Sequence, residues 1–90
     1  MTTKTFSFRI LTPSGVTVSG DITQVQVMTY EGSIGIMAGH EPLTAACPAG
    51  IIRIEQHGAW VCFKSDEFIL TVNRASATIL TSTAQYAGTA

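Results

Sequence analysis

Between Ile22 and Tyr30 the side chains alternate in character at nearly every step, and that alternation limits what the chain can fold into. Thr23, Val25, Val27 and Thr29 share one face of an extended segment, while Gln24, Gln26, Met28 and Tyr30 share the other. A period of two cannot gather these residues on one side of a helix. It makes a half-buried strand whose Gln-rich face meets water or a polar partner. The pattern recurs along the chain. Thr5–Thr12 sets Phe6, Phe8 and Ile10 against Ser7, Arg9 and Leu11, and Val16 and Val18 alternate with Thr17 and Ser19. Ile34–Met37, Leu43–Cys47, Ile51–His57, Trp60–Lys64, Phe68–Val72 and Ala77–Thr81 read as further short strands. Between them stand turn-forming groups: Pro13-Ser14-Gly15, Gly20-Asp21, Glu31-Gly32-Ser33, the irregular corner Gly39-His40-Glu41-Pro42, His57-Gly58, Ser65-Asp66-Glu67 and Asn73-Arg74. About eight to ten short strands at spacings of roughly 8–12 residues predict an all-β sandwich or barrel.

Ninety residues make one domain, predicted over residues 1–82, with the small, polar segment 83–90 as a short flexible tail. Hydrophobic residues make up 46% of the chain and charged residues only 12%, so the surface is short of charge and part of it is expected to be covered in use. The net charge is −1, and Lys4, Arg9, Arg53, Lys64 and Arg74 are scattered. No basic cluster is present to neutralise phosphates, which argues against nucleic acid as a partner, and no cationic amphipathic stretch argues for direct lipid insertion. The first residues lack an apolar signal region and no run is long enough to span a bilayer, so a soluble protein facing the cytosol is expected. In that setting Cys47 and Cys62 are predicted to be two buried thiols and not a disulfide.

A search for chemistry finds little. Zinc would want paired ligands such as C-x-x-C or H-E-x-x-H, and His40, Glu41, His57, Cys47 and Cys62 do not supply them. No nucleophile elbow or phosphate-binding glycine loop occurs. Asp66-Glu67 reads as a solvated turn, Trp60 as a core anchor, and Met28 and Met37 as core or interface filler. No catalytic residue, metal site or cofactor is predicted.

The order of motifs says more. Phe6-x-x-x-Leu-Thr-Pro13-x-Gly15-Val16 is followed by Gly20 and Val25-x-Val27. Then come Tyr30-Glu-Gly-x-x-Gly35-Ile36-Met-x-Gly-His40-x-Pro42-Leu43, Ala49-Gly50-Ile-Ile-Arg53-Ile54, Phe68-x-x-x-Val72 and Ala77-Thr-Ile79-Leu80. From about Phe6 to Leu80 this series resembles the N-terminal domain of the epsilon subunit of bacterial F-type ATP synthases, most specifically over Glu31–Leu43. The resemblance implies a flattened β-sandwich of about ten strands. It also implies a non-catalytic subunit at the foot of the central stalk, or rotor, coupling ion transport (proton transport or sodium transport) to ATP synthesis. Its partners would be the gamma subunit and the c-ring of the membrane sector. By the same resemblance Glu31, Gly32 and Ser33 would form the loop that contacts the c-ring, and Gly39, His40, Glu41, Pro42 and Leu43 the corner that meets gamma. His40 would then be a corner hydrogen-bonding residue. The expected location is the F1 sector at the cytoplasmic face of the bacterial plasma (inner) membrane.

Three departures from the family pattern qualify this. The chain stops at Ala90, where the family's two C-terminal helices would begin, so neither their restraint of ATP hydrolysis nor ATP binding is carried over. The loop usually reading Ser-Gly-Gly-Phe is Ser65-Asp66-Glu67-Phe68, and the acidic residue usual after the last strand is Ser82. Two other classes compete with a stalk subunit: an independent ligand-binding or regulatory sandwich, and a hydrolase that would need His40 and His57 to converge. An uncovered face involving Met28, Tyr30 or Met37 is expected, and with it a tendency of the isolated domain to form a homodimer.

Overall fold

The segments with period-two alternation correspond to strands of the computed structural model, which describes residues 4–89. Ile22–Tyr30 is divided, however: Ile22 ends one strand, Thr23 lies between strands, residues 24–29 form the next and Tyr30 belongs to the turn. The strands are β1 (Phe6–Thr12), β2 (Gly15–Ile22), β3 (Gln24–Thr29), β4 (Gly32–Met37), β5 (Leu43–Cys47), β6 (Gly50–Gln56), β7 (Ala59–Ser65), β8 (Phe68–Val72), β9 (Ser76–Thr81) and β10 (Ala84–Thr89). They form two five-stranded sheets, ordered β2-β1-β9-β8-β5 and β10-β7-β6-β3-β4. Pairing is antiparallel except between β1 and β9, which run parallel. The fold is an all-β sandwich.

Alternation decides what fills the space between the sheets. Phe8, Ile10, Leu70 and Ile79 from the first sheet and Val25, Ile36, Ile52 and Ile54 from the second belong to one buried cluster. Removing this apolar surface from water is the main favourable term available to so small a domain. Turn chemistry then fixes register. His57 (φ 54°) and Gly58 (φ 78°) both take left-handed conformations between the paired residues Gln56 and Ala59, the type I′ geometry that matches strand twist. Asn73 Oδ1 accepts hydrogen bonds from the backbone N–H groups of Ala75 and Ser76, both at 2.9 Å, and so closes the β8–β9 turn.

Several expectations need correction. Gly20-Asp21 is not a turn: β2 runs through it, with Phe8 opposite Gly20 and Ser7 opposite Asp21. Extended pairing with β1 overrides the local turn signal there. Residues 84–89, expected as part of a tail, form β10 instead and pair antiparallel with β7 from Ala84↔Ser65 to Thr89↔Val61. Backbone pairing needs no hydrophobic stripe of its own, and the Tyr86 ring meets Phe63 edge-on with centroids 6.1 Å apart. Trp60 is not a core anchor. Val61, Phe63 and Ser65 are the inward positions of β7, so Trp60 and Cys62 point outward and are half-buried. Only Cys47 is a fully buried thiol, and both cysteines are free.

Candidate interaction surfaces

β4 joins the two surfaces singled out from the sequence and places them at its opposite ends. A six-residue strand spans roughly 20 Å, which separates Glu31, Gly32 and Ser33 from Gly39–Leu43. The predicted ring loop is a tight hairpin with only Tyr30 and Glu31 outside the paired residues Thr29 and Gly32. Thr29 Oγ1 donates to the Gly32 carbonyl at 2.7 Å and accepts from the Glu31 N–H at 3.0 Å, so one hydroxyl holds both sides of the tip. Gly32 has φ 126°, a conformation that a side chain would strain. Glu31, Gly32 and Ser33 are all exposed.

The predicted gamma corner is held by backbone. The Gly39 N–H donates to the Arg74 carbonyl (3.3 Å) and the His40 N–H to the Met37 carbonyl (3.2 Å). Gly39 sits at φ 81°. His40 Nδ1 lies 2.7 Å from the Glu41 carbonyl, so Nδ1 carries the proton and the ring is tied to the corner. Among the described residues no group of three His, Cys, Asp or Glu side chains could hold a metal ion.

The tip end gathers residues that no local motif announces. Tyr30, Pro13, Cys47, Glu67, Leu80 and Ser82 line an open groove of about 520 Å³. Two positions singled out from the sequence meet here: Ser82 Oγ donates to Asp66 Oδ2 at 2.7 Å, and Thr83 Oγ1 reaches the same oxygen at 3.3 Å. A carboxylate in the β7–β8 turn thus ties down the connection between β9 and β10. Burial pushes the Cys47 thiol above its ordinary pKa, because the thiolate would lose its hydration.

Both sheets also carry outward apolar groups. Met28 and Met37 are exposed on the outer face of the second sheet, which makes them surface and not core, and Tyr30 is exposed at the tip. The same face holds the Arg53 guanidinium 4.9 Å above the Trp60 ring and 3.3 Å from Gln26 Oε1. Sequence reasoning missed a row on the first sheet. Val16, Leu11, Leu80, Ile69 and Ala46 lie opposite one another across all five strands, facing out. Its signal was present in Phe68-Ile69-Leu70 and Ile79-Leu80, where consecutive apolar residues give a strand two apolar faces.

Residues 5–87 match the family model described as the ATP synthase, Delta/Epsilon chain, beta-sandwich domain. The chain belongs to this family. An ATP synthase epsilon chain of Caldanaerobacter subterraneus subsp. tengcongensis is 39% identical over 85 residues, covering 92% of this chain and 61% of that one. ATP synthase epsilon chain 1 of Nitrobacter hamburgensis is 44% identical over 54 residues, covering 60% of this chain and 40% of the relative. This member of the delta/epsilon family therefore spans less than two thirds of the curated relatives it matches. A chain in the cryo-EM structure of the Euglena gracilis mitochondrial ATP synthase (OSCP/F1/c-ring) has the same fold, with a TM-score of 0.85, 20% identity and coverage of 91% of this chain and 53% of that one. A chain from the central stalk and c-ring of the Tetrahymena thermophila mitochondrial enzyme superposes with a TM-score of 0.74 at 15% identity, covering 93% of this chain and 68% of that one.

Proposed function

We propose that this chain is a non-catalytic rotor subunit of an F-type ATP synthase. The β4–β5 corner at residues 39–43 packs on the gamma subunit, and the β3–β4 tip at residues 31–33 rests on the polar loops of the c-ring. The observation that carries this reading is that the two predicted surfaces lie at opposite ends of one strand, β4, which borders the second sheet and is anchored to the core through Ile36. A close-packed interior has low compressibility, so a displacement at one end is transmitted to the other. Side-chain hydroxyl bonds at the tip and backbone bonds at the corner hold each surface in shape before a partner arrives, which lowers the ordering cost of binding. Membership of the epsilon family and the fold shared with chains of two ATP synthase assemblies support the same reading. In the cell the protein would sit in the F1 sector at the cytoplasmic face of the bacterial plasma membrane and take part in coupling ion transport to ATP synthesis.

The test is binding. Purified chain mixed with recombinant gamma subunit is expected to form a complex and to co-purify with F1. Absence of binding, under conditions where a full-length epsilon chain binds, would reject the proposal. One observation favours a second reading, an independent ligand-binding module: the open apolar groove beside Tyr30. Thermal-shift measurements with nucleotides and metal ions separate the two, since the rotor reading predicts no response to either.

A further inference from the structure

Four strands end the two sheets, and three of them are guarded against pairing with another chain. β2 loses register against β1 between Ile10 and Leu11, and Gln56 Nε2 donates to the Asp21 carbonyl at 3.1 Å. β5 has only five residues and stands between Pro42 and Pro48. β10 is broken by a register shift between Tyr86 and Gly88. β4 has none of these devices. It carries no charge, no proline and no bulge, and its six residues pair with β3 without a break. Among the described residues nothing pairs with its other side. A regular, uncharged edge of this kind is a template for one more strand.

The direction of its free groups follows from the alternation of antiparallel bonds. The tight turn makes Gln56↔Ala59 a hydrogen-bonded pair, so Arg53 and Glu55 turn their backbone groups towards β3. Their partners Gln24 and Gln26 are thereby occupied by β6, and Val25, Val27 and Thr29 bond to Ile36, Ile34 and Gly32. Ser33, Gly35 and Met37 are left with N–H and C=O groups aimed at the open edge. The Met37 carbonyl alone among these already has a partner, the His40 N–H.

We propose that the free chain forms a two-fold dimer by antiparallel pairing of β4 with β4 of a second copy, centred on Gly35 opposite Gly35. That register satisfies three conditions together. Ser33, Gly35 and Met37 meet Met37, Gly35 and Ser33 of the second copy, so edge donors face edge acceptors. Side-chain parity is kept, and Ile34 lies beside Ile36 of the second copy on the inner faces, extending one core towards the other. The two glycines carry no side chain on the outer face at the axis, where the flexible end of Gln24 stands close and Gln26 lies at ordinary contact distance. An isologous contact needs one strand to complement itself, and β4 does. Because β4 ends in both the tip and the corner, the dimer also shields the surfaces assigned above to ring and gamma; that competition rests on the proposed function, whereas the dimer does not.

Light scattering across a concentration series, with amide hydrogen exchange on the same samples, tests the dimer. The wild-type chain is expected to pass from the mass of one chain to twice that mass. As it does so the Ser33, Gly35 and Met37 amides should slow by about tenfold or more, since in the monomer they are open to solvent. Gly35→Pro removes the central edge donor without touching the β3–β4 ladder and should leave a monomer at every concentration, with circular dichroism checking its fold. If this variant does not fold, the wild-type exchange data still decide. A wild-type chain that stays monomeric at its highest soluble concentration overturns the proposal. So does a dimer whose protected amides lie on another strand, including the apolar row of the first sheet.

Discussion

The two ends of the sandwich are built by different means. At the corner, backbone donors and acceptors hold the chain: Gly39 to Arg74 and His40 to Met37, around a glycine at φ 81°. At the tip, side chains do most of this work. Thr29 clamps the hairpin, and Asp66 draws in Ser82 and Thr83, sixteen and seventeen residues away in sequence. A backbone-defined surface tolerates exchange of its exposed side chains but not of its glycine. A side-chain-defined surface behaves the other way round, so its specificity can drift while the fold stands still.

The strongest way to break the contrast is to loosen the strand between the ends. Ile36→Ala empties a fully buried position on β4 and should cost about 2–5 kcal/mol in urea unfolding, degrading tip and corner together. Gly39→Val separates them. Nothing crowds a Cβ there, so its cost, about 1–3 kcal/mol, comes from backbone strain, and amide exchange should quicken at residues 39–43 and not at the tip. Ser65→Ala sharpens the contrast with the opposite sign. Ser65 Oγ is buried at the tip end with no hydrogen-bond partner among the described residues, and removing the hydroxyl should raise stability by about 1 kcal/mol in thermal melts. Asp66→Ala should change global stability by less than about 1 kcal/mol, because its bonds are exposed, while releasing the Ser82 and Thr83 hydroxyls.

The smallest effect is read by pH. Folding raises the pKa of Cys47, so its contribution to stability is fully present below the ordinary thiol value of 9.0 and is lost as pH rises through the higher folded value. Cys47→Ala should flatten the alkaline limb of the stability curve. In the wild-type chain a thiol reagent should label the outward Cys62 first and Cys47 only on opening.

How much of this was legible beforehand follows from the same contrast. Strand periodicity placed Phe6, Phe8, Ile10, Val25 and Val27 in the core, because an alternating pattern is itself the cause of their burial. The corner was legible because Gly39 and Pro42 are local backbone signals. The tip end was not. Asp66 and Ser82 make sense only once β7–β8 and β9–β10 are brought side by side, and no local rule connects them. Trp60 was misplaced for a simpler reason: its size suggested the core, whereas register with Phe63 and Ser65 turns it outward. β10 went unseen because it contributes mainly backbone.

The central claim is that β4 carries two separate contact surfaces, one at each end. Amide hydrogen exchange of the chain, alone and saturated with recombinant gamma subunit, tests it most directly. The account predicts slowed exchange at the corner, residues 39–43, with the 31–33 tip unchanged and left free for the ring. Protection confined to the tip, or no protection at either end, would contradict it.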